Sequence, residues 1–71
     1  MATKHMVILF GGQSPEHDIS ILSFKGVYPS LPSGWKVFPV YITKQGGWFL
    51  QKNGDSVLQG KITQDQPCTL D

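Results

Sequence analysis

The chain has 71 residues, 39% of them hydrophobic and 15% charged, with six basic residues against five acidic. This length admits one small domain, hiding only about 60% of its unfolded surface, and excludes a complete multi-domain enzyme. The six lysines are spread along the chain without any arginine, which argues against nucleic acid as a partner, since phosphate-tracking surfaces cluster their cations on one face. No apolar stretch approaches the ~20 residues of a membrane span or the ~7–15 of a signal-peptide core, so no membrane association is expected. Cys68 is the only cysteine; it excludes a disulfide scaffold and fits a reducing, cytoplasmic setting. Either a small binding module or a segment of something larger is implied.

Residues 1–5 carry no pattern and read as a frayed start. The unbroken apolar run Met6-Val7-Ile8-Leu9-Phe10, closed by Gly11-Gly12, is too short for a helix and predicts a strand over 6–10 buried on both faces, as in parallel sheets covered by helices. A helix follows over 15–28. Ser14 is placed to cap it, Pro15 suits its first position, and Glu16 and Asp18 complement the dipole in its first turn. Ile19, Leu22, Ser23, Gly26 and Val27 share one helix face at i, i+3, i+4, i+7, i+8 spacing, predicted to lie on the sheet. Ile21, Phe24 and Tyr28 make a second apolar line, more than a single sheet needs. Pro29 ends the helix.

The next strand is predicted over 36–43, apolar on both faces. Pro39 cannot donate to a ladder and predicts an edge position or a bulge. Lys44-Gln45-Gly46-Gly47 reads as a turn and Trp48-Phe49-Leu50 as a short antiparallel return. Asn53-Gly54 reads as a further turn. Residues 5–51 are well patterned; 52–71 are not. The order is an α/β fold: a βαβ unit, expected to be right-handed, followed by a hairpin strand. One sheet face and the second apolar line of the helix are left without partners.

Chemistry concentrates in Gly11-Gly12-Gln13-Ser14-Pro15-Glu16-His17-Asp18-Ile19-Ser20. It joins the carboxyl end of a strand to the start of a helix, where open α/β sheets bind ligands. The dinucleotide fingerprint fails, because the glycines are adjacent and no third follows. The P-loop fails for want of a lysine, and the nucleophile elbow fails at its fifth position. His5, His17 and Cys68 are too scattered for a zinc site, so no metal site is expected. On pattern alone the glycines serve a tight turn, Ser14 a cap, and Glu16 and Asp18 the helix dipole.

The blocks V-I-L-F-G-G-x-S-x-E-H-D-I-S (from Val7) and V-Y-I-T-K-x-G-x-W (from Val40), in that order, resemble the N-terminus of the D-alanine–D-alanine ligase family, which includes the D-alanine–D-lactate and D-alanine–D-serine ligases of vancomycin resistance. The resemblance runs from Val7 to Leu50 and departs at Pro29-Ser30-Leu31-Pro32-Ser33-Gly34, where relatives carry helix formers and charges.

The resemblance implies the first part of a Rossmann-like pre-ATP-grasp domain, residues 1–71 being a partial substrate-binding domain. Family members are cytoplasmic multi-domain ATP-grasp ligases of peptidoglycan precursor synthesis. They phosphorylate one D-alanine with ATP and magnesium, and the amine (or hydroxyl) of a second substrate attacks the acylphosphate. ATP and Mg2+ are held by later domains and neither is expected on this segment, which alone is expected to be inactive and to supply no catalytic group.

By the same resemblance Glu16 contacts the ammonium of the first D-alanine, a charge-assisted bond, while Gly11, Gly12, Ser14, His17 and Ser20 support the loop. Ser20 is expected to bond either the preceding helical turn or the loop. The implied partners are D-alanine, the remaining ligase domains or a companion chain, and in some members a second copy in a homo-oligomer. The alternative is a free-standing α/β module that binds a small ligand or a protein without catalysis.

Overall fold

The structure, a computed structural model, describes residues 4–68. The elements run β1 (Lys4–Gly11), α1 (His17–Val27), a 3₁₀ turn (Tyr28–Ser30), β2 (Trp35–Ile42), β3 (Trp48–Leu50) and α2 (Gly54–Leu58). The sheet order is β1-β2-β3. β1 and β2 pair in parallel without a break from Lys4↔Trp35 to Gly11↔Ile42, and β3 pairs antiparallel to β2 from Val40↔Leu50 to Ile42↔Trp48. The expected βαβ unit and hairpin strand are both present. Lys4 and His5 belong to β1, so the frayed start does not extend to them; residues 1–3 lie outside the described residues.

Pro39 is neither at an edge nor in a bulge: it sits in the central strand opposite Ile8, under 2% exposed. The ladder explains the tolerance. The Pro39 carbonyl accepts from Gln51 N–H at 2.8 Å, so Pro39 turns its hydrogen-bonding side toward β3, whose paired residues stop at Leu50. The missing N–H falls where that ladder ends, and the β1 side loses nothing.

One layer covers the sheet. Phe10 and Phe24 are each 3% exposed and Val57 is fully buried; Ile8, Ile21, Tyr28, Tyr41 and Ile62 pack against them. The Phe10 and Phe24 rings are 4.7 Å apart, and Phe24 stacks on Tyr28 at 5.5 Å. The inward line of α1 is therefore His17, Ile21, Phe24 and Tyr28. The line predicted to face the sheet is the outer one, with Ile19, Leu22 and Val27 each more than half exposed. Both lines have helical spacing, and the larger aromatic surface took the core.

β1 is likewise buried on one face only. Val7 and Leu9 are exposed while Phe10 is buried; on the Val7–Leu9 face cover begins only at β2, where Val40, opposite Leu9, is 5% exposed. A shallow apolar groove of about 170 Å³ runs between β1 and α1, bordered by Leu9, Phe10, Ser23 and Val27.

Asn53-Gly54 opens a helix rather than a simple turn. The Asn53 Oδ1 accepts from Ser56 N–H at 2.8 Å, capping α2, and α2 delivers Val57 to the core. The chain beyond α2 then returns along β3. Leu50 N–H donates to the Gln66 carbonyl and Cys68 N–H to that of Trp48, both at 2.9 Å, and Phe49 bridges to Pro67. Gln51, 3% exposed, ties this return from below: its amide donates to the Thr63 carbonyl (2.9 Å) and accepts from Thr63 N–H (2.8 Å). No helix among the described residues is long and apolar enough to cross a membrane.

Candidate functional site

The site grows from two glycines. At the end of β1, Gly11 has φ +90° and Gly12 φ +108°, a region open to glycine and costly for other residues. Gly11 is also confined, because a Cβ there would press on the Ile42 carbonyl oxygen and lie 3.0 Å from the Tyr41 ring. Gly12 N–H donates to that same Ile42 carbonyl at 2.8 Å. Gly11 N–H donates to Ser20 Oγ at 3.1 Å, so Ser20 supports the loop and not the preceding helical turn. Across the loop, Gln13 lies on Gly46 in the β2–β3 turn, where a Cβ would stand 3.0 Å from its amide carbon.

The helix begins two residues later than the sequence suggests. Glu16 occupies the N-cap position, with no side-chain cap bond. Ser14 serves the turn before it: its Oγ accepts from Glu16 N–H at 3.2 Å and donates to Glu16 Oε2 at 3.4 Å, while its carbonyl accepts from His17 N–H at 3.1 Å. A serine that turns the chain two residues ahead, as a local side chain–backbone bond, competes with capping further along. Glu16 is exposed, with its carboxylate at the lip of the glycine turn and next to the start of α1.

His17 is 5% exposed, its Nδ1 2.9 Å from Asp18 Oδ1 and its Nε2 2.8 Å from the Tyr41 hydroxyl. A carboxylate only accepts, so Nδ1 carries a proton, and in the neutral form of the ring Nε2 accepts from Tyr41 O–H. Asp18 is exposed; the hydrogen bond from His17, and then the positive charge of Lys44, hold its carboxyl below the ordinary 3.8. Burial, and then the negative charge of Asp18, push the Tyr41 phenol above its ordinary 10.0.

Gly11, Gly12, Ser14 and Glu16 thus line the passage from β1 to α1, and His17 and Ser20 stand in the first turn of α1 beside it. Tyr41 joins them from β2 and was not singled out by the sequence. Its signal is topological: once β1 and β2 are parallel, Tyr41 stands opposite Phe10, one step from the glycines. Glu16 and Asp18 are both exposed; the Asp18 carboxylate is engaged by His17, whereas that of Glu16 takes only the bond from Ser14 and can accept further hydrogen bonds. No group of three or more His, Cys, Asp or Glu able to hold a metal occurs among the described residues.

Residues 5–69 match the family model for the D-ala D-ala ligase N-terminus. The D-alanine–D-alanine ligase A of Brucella suis is 40% identical over 66 residues, covering 92% of this chain and 19% of its own length. Among solved structures, the D-alanine-D-alanine ligase of Coxiella burnetii superposes with a TM-score of 0.75 at 35% identity, over 82% of this chain and 17% of that one. The VanG D-Ala:D-Ser ligase of Enterococcus faecalis gives a TM-score of 0.72 at 24% identity, over 84% of this chain and 18% of that one, a likeness of fold. The chain spans 15–19% of the length of the curated relatives it matches. The glycine turn, the βαβ-hairpin order and these matches agree: the chain belongs to the D-ala D-ala ligase N-terminus family.

Proposed function

We propose that this chain is the first part of the substrate-binding domain of an ATP-dependent, cytoplasmic D-alanine ligase of peptidoglycan precursor synthesis, and that Glu16 accepts hydrogen bonds from the ammonium of the first D-alanine. The observation that carries this reading is the position of Glu16: an exposed carboxylate at the lip of a glycine turn, where the carboxyl end of β1 meets the start of α1. Gly11, Gly12, Ser14, His17 and Ser20 shape and hold that turn. Magnesium and ATP are assigned, by the family resemblance, to parts of the longer ligase outside this chain, and no chemical step is routed through this segment. Its own contribution is to bind and orient one substrate; alone it is inactive.

The test is Glu16→Gln in the ligase of full family length that carries this segment. Hydrogen bonds to charged groups contribute roughly 1.5–3 kcal/mol, so kcat/KM for the first D-alanine should fall by about tenfold to a few hundredfold. The KM for ATP should stay near its parent value. Unchanged substrate kinetics with a lower melting temperature would show that Glu16 serves only the helix terminus.

A further inference from the structure

The start of α1 is held in an unusual way. Its N-cap residue makes no side-chain cap bond, so the first turn relies on backbone bonds and on contacts with the sheet. Two contacts tie this end to the sheet: Ser20 Oγ accepts from Gly11 N–H of β1 at 3.1 Å, and the His17 ring, 5% exposed, bonds the Tyr41 hydroxyl of β2 at 2.8 Å and meets the Tyr41 ring edge-on at 5.4 Å. Tyr41 is fixed in turn, opposite Phe10 in an unbroken ladder and 5.6 Å from its ring. The Glu16 carboxylate has only the 3.4 Å bond from Ser14, within the same turn. Ser20 N–H donates to the Glu16 carbonyl at 2.8 Å, which sets Glu16 against β1, and the covalent link to His17 makes its place relative to β2 depend on the His17–Tyr41 bond.

We infer that Tyr41, acting through His17, is a positioning residue for Glu16: its hydroxyl locks the first residue of α1 against β2 and so fixes where the Glu16 carboxylate meets the ammonium of an amino-acid substrate. The inference rests on the reading of Glu16 given above. Without the hydroxyl, Nε2 is left buried with no partner, and the ring must turn or the helix end must lift to recover one. Lifting the helix end carries Glu16 with it.

The experiment is a double-mutant cycle on Glu16→Gln and Tyr41→Phe in the ligase of full family length that carries this segment, with kinetics in both substrates and thermal melts. Tyr41→Phe should lower kcat/KM for the first D-alanine by about three- to tenfold, the worth of one neutral hydrogen bond, with the KM for ATP unmoved. In the Glu16→Gln background the same change should cost less than about twofold, because residues acting as a unit do not add. His17→Gln retains an acceptor for the Tyr41 hydroxyl and should keep more activity than His17→Leu. Multiplying losses in the double variant would overturn the inference and leave the Glu16 reading intact. So would a Tyr41→Phe effect that lowers stability and raises both KM values alike. If Glu16→Gln left the kinetics untouched, both readings would fall. Should Tyr41→Phe fail to fold, the His17 pair decides, and equal kinetics of the two variants would overturn the inference.

Discussion

Gly54→Ala offers a sharp test of the packing, because two opposing effects act at one atom. Gly54 is the first residue of α2 and has no positive φ, so alanine meets no backbone strain there. Helix propensity and a less flexible unfolded chain would together favour alanine by about 1 kcal/mol. The structure opposes this. A Cβ on Gly54 would stand 2.6 Å from Tyr28 Cδ1 and closer still to Cε1 and Cζ, against an ordinary carbon–carbon separation of about 3.5–4.0 Å. The ring would have to retreat by about 1 Å or more, and it cannot do so alone. Tyr28 is stacked on Phe24 at 5.5 Å, and Phe24 lies 4.7 Å from Phe10.

Overpacking costs typically 1–3 kcal/mol, and with three ring atoms this close to the Cβ the upper part of that range, about 2–3 kcal/mol, applies; less the propensity gain, Gly54→Ala should be destabilising by about 1–2 kcal/mol. For a domain of this size that is a fall of roughly 5–15 °C in Tm. Thermal or urea unfolding followed by far-ultraviolet circular dichroism measures it. The sign should reverse in a Tyr28→Leu background, where the ring is gone and only the propensity gain remains. A Gly54→Ala chain as stable as its parent, with Tyr28 present, would refute the packing of α2 against the 3₁₀ turn.

At the glycine turn, Gly12→Ala should cost only left-handed strain, about 1–2 kcal/mol, whereas Gly11→Ala should cost more because its Cβ also presses on the Ile42 carbonyl and the Tyr41 ring; paired melts of the two variants check the order. Asp18 has a folded pKa below its ordinary 3.8, so its contribution is present above that value and is lost as pH falls through the lowered folded pKa. Asp18→Asn should flatten the acid limb of the stability profile, and carboxyl-carbon NMR titration of the parent should show Asp18 titrating below an ordinary aspartate.

The strands were legible because each is an apolar run closed by glycine or a turn, and the parallel pairing of β1 with β2 follows from the helix between them. The face of α1 was not legible. Ile19, Leu22 and Val27 match a helical period as well as Ile21, Phe24 and Tyr28 do, and the decision lay with a residue read as loop chemistry: His17 turns inward because Tyr41 offers its ring nitrogen a partner. The helix start moved because the Ser14 hydroxyl spends itself on Glu16 N–H. α2 was hidden by its five residues, too few for a period to show. The stretch after it is polar because it is held by backbone groups and by the amide of Gln51, which leave no hydrophobic pattern to read. At the site, Glu16 was singled out by resemblance rather than pattern, and Tyr41 came into view only once the register was known.

The returning segment beside β3 has a consequence for how the sheet can grow. Strand edges with free N–H and C=O groups recruit further strands, which is how soluble proteins begin to aggregate. On the β3 side those groups are occupied by Gln66 and Cys68, and the residue bridged to Phe49 is Pro67, which has no N–H to offer a next strand. That border of the sheet is blunted. Among the described residues β1 pairs only with β2, so the opposite border remains open, and the sheet has a direction: a strand can be added beside β1, next to the exposed Val7 and Leu9, and not beside β3.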